Sequence, residues 1–189
     1  MSKLATHLLF LTAIYILLAA HRPVSADFKA YQYIDKYKDI AIAEMHRTGI
    51  PASIKLAQGM HESQFGQSNL ATLANNHFGI KCKTYWTGQT YYHKDDDLDK
   101  RGKLIKSCFR SYSADLDSYV DHSNFLVHTA HYGSLFIYDK TDYKAWAYGL
   151  KASGYATDKK YAPKLIKKIE KYGLNNYDFS PNPFEQNIR

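Results

Sequence analysis

Between Asn75 and Arg110 the chain drops the helical spacing of apolar residues that it keeps on either side. Gly79, Gly88 and Gly102 punctuate short segments such as TYW and TYYH, and the charged run HKDDDLDKRGK lies among them. Short aromatic and β-branched runs bounded by glycine predict one or two irregular β-hairpins. Long amphipathic stretches before and after predict helices. The expected class is therefore α+β, a mainly helical body with a small β-hairpin lobe. A body and a lobe leave a groove between them, wide enough in principle for a linear polymer.

The helical part reads in six pieces. Tyr33, Tyr37, Ile40, Ala41 and Met45 form a stripe on a helix over Asp27–Thr48, ended by Gly49. Pro51 suits the first position of a second helix running to about Ser63. On it Leu56, Ala57 and Met60 share one side while Gln58 and Glu62, four apart, share another. Asn69–Ala74 is a third, short helix. Ser113 is placed to cap a helix to His128, with Leu116, Tyr119, Val120 and Phe125 inward. Thr141 or Asp142 caps Tyr143–Ser153, and Thr157 or Asp158 caps a last helix that stops at Gly173. The stretch from Asn175 is polar and proline-containing, and is expected to fray or to lie strapped on the surface.

At the N-terminus, Lys3, an apolar run from Leu8 to Ala20 and the small-residue site Val24-Ser25-Ala26 follow the order of a secretory signal peptide. The run is shorter than the roughly 20 residues of a spanning helix, so cleavage near Ala26 is preferred to an uncleaved anchor. The expected division is a leader over 1–26, one domain over 27–174 and a tail over 175–189, with a secreted or periplasmic location. Roughly 160 residues suffice for a single core. In an oxidising compartment the chain's two cysteines, Cys82 and Cys108, suggest one disulfide, worth roughly 3 kcal/mol for a loop of that size. The net charge of +7 would draw the protein to acidic envelope polymers, but no Lys/Arg-rich arm or nucleic-acid motif accompanies it. The 17 tyrosines, 9 phenylalanines and 2 tryptophans can stack on sugar faces or fill a core.

The run AQGMHESQFGQSNLATLANNHFGIKC carries Glu62 at a helix end before an Asn/Gly-rich turn. With YWTGQTYYH, CFRSYSADLDSYVDHSNFL and GYATDKKYAPKLIKKIEKYGL it resembles the bacterial glucosaminidase family of peptidoglycan hydrolases, glycoside hydrolase family 73, over roughly Ile50 to Leu174. The resemblance implies a lysozyme-like fold and an endo-β-N-acetylglucosaminidase that cleaves after N-acetylglucosamine in peptidoglycan. It maps the family's general acid onto Glu62 and its late tyrosine onto Tyr155. A second acidic residue is expected in the lobe, where Asp95, Asp96, Asp97 and Asp99 compete. Asp96 is preferred, then Asp97, from the spacing after Glu62.

Glu62 needs an apolar wall to hold its proton, and Met60, Phe65 and Phe78 are candidates. Asn76 is a candidate sugar contact, Phe78 a groove wall, and Trp86, Tyr91 and Tyr92 candidate stacking platforms. No cofactor or metal is expected. His61-Glu62 lacks the second histidine of a zinc HExxH motif, since position 65 is Phe, and the Asp run fails the calcium-loop pattern at Lys100 and Lys106. The expected partner is the peptidoglycan strand, with no nucleic acid and no membrane insertion after cleavage. Two other readings stay open: a lytic transglycosylase of the same fold, and a non-catalytic glycan-binding module.

Overall fold

The structure, a computed structural model, describes residues 25–185 except the side chain of Asp96; the expected leader up to Val24 lies outside the described residues. Helix α1 spans Ala26–Thr48. The Ser25 hydroxyl accepts from Phe28 N (3.1 Å), and Gly49 ends the helix in the left-handed region at φ 82°. Its buried face carries Tyr33, Tyr37, Ala41 and Met45, as the periodicity predicts. No helix among the described residues is long and apolar enough to cross a membrane.

Helix α2 (Ala52–Glu62) is the centre of the molecule. Every residue from Ala52 to Met60 is buried, Lys55 and Gln58 included. The amphipathic reading of this segment is corrected at Gln58, which is as buried as its apolar neighbours while Glu62 at the end is partly exposed, because α1, the helices over Tyr143–Ala152 and Tyr161–Tyr172 and the 3-10 turn Leu174–Phe179 all pack on α2. Pro51 stands at the cap position and offers no side-chain bond. The missing cap comes from the far end of the chain. Buried Asp178, in the 3-10 turn Leu174–Phe179, accepts from Ser53 N at 2.8 Å and Ser53 Oγ at 2.6 Å. The segment expected to fray or strap therefore holds the start of the central helix, at least as far as Phe179.

Helix α3 is Asn69–Ala74, capped by Ser68. Helix α4 spans Asp115–His128, where Asp117, not Ser113, closes the start by accepting from Ala114 N (3.1 Å). Its inward face is partly polar, with Ser118, Tyr119, His122, Ser123 and Leu126 buried, while Leu116 is 50% exposed. After a 3-10 stretch at Ala130–Ile137, α5 runs Tyr143–Ala152, capped by Asp142. Helix α6 spans Tyr161–Tyr172 and starts later than expected, because Asp158 spends its side chain and carbonyl on a turn, accepting from Lys160 N and Tyr161 N. Gly173 ends it at φ 63°.

The lobe is one antiparallel hairpin, β1 (Thr90–Leu98) and β2 (Leu104–Arg110). The charged run is strand as well as turn. Lys94 pairs with Lys106 and Leu98 with Leu104, so residues 95–97 bulge opposite residue 105. Residues Ile80–Cys82 lie beside β2 through a Lys81–Phe109 bridge, with Cys82 N donating to Cys108 O (2.8 Å) and Arg110 N to Ile80 O (3.0 Å). The Cys82–Cys108 disulfide staples the same pair of segments.

Gly59 on α2 lets the tyrosines of α1 and α4 approach. A Cβ there would sit 2.3 Å from Tyr33 Oη and 3.0 Å from Tyr119 Oη, which hydrogen-bond to each other. Gly59→Ala is expected to destabilise by roughly 1–3 kcal/mol, outweighing its helix-propensity gain of about 1 kcal/mol, in urea unfolding. Asp178→Ala is expected to cost about 0.5–2 kcal/mol, the usual effect of losing a helix cap, as a lowered Tm.

Candidate active site

An open cavity of about 830 Å³ lies between the helical body and the hairpin. Glu62, Phe78, Asp95, Asp97, Tyr132 and Tyr155 are among the residues that line it. Glu62 enters as the last residue of α2, where the buried helix reaches the groove. Asp95 and Asp97 enter from the bulge in β1, and Tyr155 from the turn between α5 and α6.

A short chain of donors ends on Glu62. Gln58 Nε2 donates to Tyr161 Oη (3.0 Å), and Tyr161 Oη donates to Glu62 Oε1 (2.9 Å). Burial pushes the Glu62 carboxyl above the usual carboxylate range, against the Tyr161 hydrogen bond and the positive charge of Lys168, which pull it down. With Oε1 occupied by Tyr161, Oε2 is the oxygen left to carry a transferable proton. The neighbouring His61 is pushed down to about 4 by burial and by Lys168 and Lys164, so it is neutral at pH 7. Glu62 is thus a carboxyl held toward its acid form beside an uncharged imidazole, which suits a general acid.

Tyr155 stacks on Tyr161 with ring centroids 5.5 Å apart, and its hydroxyl lies 3.0 Å from His122 Nε2. Burial pushes its phenol well up, so the hydroxyl keeps its proton. Phe78 lies flat on the His122 ring, centroids 4.0 Å apart, and is among the residues lining the cavity. Across the groove, Lys81 Nζ reaches Asp95 (2.8 Å) and Asp97 (2.7 Å), and Ser107 Oγ also donates to Asp97. Those bonds hold Asp97 below the usual carboxylate range, so it is ionised at neutral pH.

The glucosaminidase family model, described as mannosyl-glycoprotein endo-beta-N-acetylglucosaminidase, matches residues 38–174. The chain belongs to the glucosaminidase family. It is 34% identical over 150 residues to the exo-glucosaminidase LytG of Bacillus subtilis strain 168, covering 77% of this chain and 52% of that protein. It is 29% identical over 160 residues to the peptidoglycan hydrolase FlgJ of Vibrio parahaemolyticus, covering 80% and 50%. The chain thus spans about half the length of the curated relatives it matches. Among solved structures, the catalytic domain of the autolysin Auto from Listeria monocytogenes superposes with a TM-score of 0.70 at 24% identity, over 88% of this chain and 96% of that one. The glycoside hydrolase domain of Salmonella typhimurium FlgJ gives 0.62 at 24% identity, over 84% and 97%. The α+β, lysozyme-like fold read from the sequence is the fold observed.

Within this glucosaminidase domain several sequence assignments move. Asn76 is 1% exposed and fully engaged: Nδ2 donates to Ile80 O and Arg110 O, and Oδ1 accepts from Phe78 N and Ile80 N. It clamps the lobe to the body and has no group left for a sugar. Its neighbour His77 is tied to Tyr33, Tyr37 and Asp115, so the NNHF turn is built for rigidity, with Phe78 alone reaching the groove. Trp86, Tyr91 and Tyr92 do not line the cavity. Trp86 instead packs on the Arg110 guanidinium (4.6 Å) and donates to Gln89 O, Tyr91 stacks on His93, and Tyr92 is 60% exposed. Of the preferred aspartates, Asp97 lines the cavity together with Asp95; Asp96 contributes its backbone to the bulge, and its side chain lies outside what is described.

Tyr161, Gln58 and Lys81 are site residues that the sequence reading did not single out. The available signal was on α2: Lys55, Gln58 and Glu62 fall at i, i+3 and i+7, one polar line along an otherwise apolar helix. Among the described residues, no group of three or more His, Cys, Asp or Glu is placed to hold a metal ion. Removing the Tyr161 hydroxyl takes away a bond that favours the ionised carboxylate. Tyr161→Phe is therefore expected to raise the Glu62 pKa further and to move the alkaline limb of the kcat/KM–pH profile for glycan hydrolysis to higher pH.

Proposed function

We propose that the protein is an exported peptidoglycan hydrolase that cleaves the β-1,4 bond after N-acetylglucosamine within glycan strands, with Glu62 as general acid. The observation that carries the reading is the Glu62 carboxyl, held toward its protonated form at the wall of a groove whose opposite side bears ionised carboxylate. Membership of the glucosaminidase family and the likeness to proteins named exo-glucosaminidase and peptidoglycan hydrolase support the substrate class. The N-terminal leader pattern supports export.

In this reading Glu62 Oε2 gives its proton to the glycosidic oxygen as the bond to the anomeric carbon breaks. Positive charge develops at that carbon. Attack comes from a water activated by Asp95 or Asp97, or from the substrate's own acetamido oxygen oriented from that side. The Lys81 and Ser107 contacts keep Asp97 ionised and fixed, and Lys81 also holds Asp95 in place. Tyr155 offers a neutral hydroxyl to the N-acetyl sugar from the body side.

Digestion of purified sacculi tests this. New reducing-end N-acetylglucosamine and a rapid fall in strand length are expected. Release of small sugars from strand ends alone would mark exo action, and anhydro-muramic ends would mark a lytic transglycosylase. Binding without soluble products would mark a non-catalytic module. Glu62→Gln is expected to lower kcat by about 10²–10⁴, the usual worth of a general acid. Normal turnover by that variant would refute the assignment. Asn substitutions at 95, 96 and 97 in turn identify the partner carboxylate.

A further inference from the structure

Lys55 is fully buried at the middle of α2, and nothing in the proposed chemistry uses it. Its Nζ donates to Tyr119 O (2.8 Å), lies 2.9 Å from His122 Nδ1, and stands 4.5 Å from the centre of the Phe78 ring. An ammonium has three N–H donors and no lone pair, and here it meets two acceptors and one aromatic face. His122 is buried as well, and its other nitrogen, Nε2, lies 3.0 Å from Tyr155 Oη at the groove.

We propose that Lys55 and His122 are positioning residues that fix the hydroxyl proton of Tyr155, so that Tyr155 enters the groove as a hydrogen-bond donor. The chain of donors has one direction. Lys55 gives a hydrogen bond to Nδ1, so Nδ1 carries no proton. The neutral ring then carries its proton on Nε2 and gives it to Tyr155 Oη. With that lone pair engaged, the phenol's own proton points away from His122, toward the cavity. The acceptor that an N-acetyl sugar supplies there is its acetamido carbonyl oxygen. A cation two bonds back along the chain also polarises each link, which strengthens the last donor. Without Lys55 both tautomers of His122 are open, and the one with a bare Nε2 would draw the Tyr155 proton away from the groove.

Charge supports this order of protons. Burial pushes Lys55 down to about 7; Glu44 on α1 and Asp121 on α4 oppose that, and Arg47 adds to it. Burial and Lys55 push His122 well below the usual imidazole range. At pH 6 Lys55 is therefore an ammonium beside a neutral imidazole.

The inference rests on the reading of the groove as a hydrolase site with Tyr155 on the substrate, and two measurements separate them. The first is ¹⁵N NMR of the His122 ring in the wild-type protein at pH 6. An unprotonated Nδ1 and a protonated Nε2 are expected; protonated Nδ1 overturns the proposal whatever the activity. The second is a double-mutant cycle with Lys55→Met, which keeps the length of the side chain and removes its charge. Lys55→Met is expected to lower kcat about tenfold, one net hydrogen bond's worth, and to cost nothing further in a Tyr155→Phe background. An equal loss in both backgrounds means that Lys55 acts through folding alone and overturns the proposal. Full activity of Tyr155→Phe refutes the role of Tyr155 in the reaction, while the NMR result still decides the tautomer. Should Lys55→Met fail to fold, the wild-type spectrum alone decides.

Discussion

The burial of one helix governs this molecule. Helix α2 is surrounded by protein over nearly its whole length, yet it carries Lys55 and Gln58 along the line that ends in Glu62. A buried polar group without partners costs several kcal/mol, and the surroundings answer most of these, leaving Gln58 Oε1 without a hydrogen-bond partner. The answers come from distant parts of the chain: Tyr119 and His122 for Lys55, Tyr161 for Gln58 and Glu62, Asp178 for the helix start. Those partners determine where α4, α6 and the C-terminal turn can sit. Two of the resulting hydrogen-bond chains, through Tyr161 and through His122, deliver donors to the same cavity. Polar satisfaction of the core and organisation of the site are one arrangement.

The lobe obeys a different constraint. A lone hairpin is marginal in water, and this one is held by the Ile80–Cys82 segment, the disulfide and the Asn76 clamp. Arg110 extends the anchorage, with Nη1 on both oxygens of Asp121 in α4 and its guanidinium against Trp86. So fastened, the hairpin can hold Asp95 and Asp97 on a bulge facing the body. Lys81, on the fastening segment itself, pairs with both. The carboxylates are thus fixed from the same side that fixes the lobe.

Much of the fold was legible because its signals are local. Gly49, Gly173 and Asp142 end or begin helices where their own backbone or side-chain chemistry dictates, and each does so here. The α1 stripe and the cysteine pair were equally readable. Other positions have uses that neighbours along the chain do not reveal. Asn76, Trp86 and Ser113 are residue types with several uses, and the use is chosen by what arrives from elsewhere in the chain. Asn76 became a clamp because Arg110 O and Ile80 O lie within its reach. Asp178 was read as tail because its partner, Ser53, is far away in sequence.

By itself the sequence determined the α+β class, most helix ends, the cysteine pair, the family and Glu62 as the residue to watch. These depend on periodicity, capping chemistry and motif order, which are properties of neighbours along the chain. Only the tertiary structure decided that α2 is buried on all sides, that Tyr161 holds one oxygen of Glu62, that Asp95 and Asp97 share Lys81 in the groove, and that Lys55 reaches Tyr155 through His122. Those facts depend on which side chains meet across the core. A hydrogen bond there forms over about 3 Å of space between residues up to 125 positions apart.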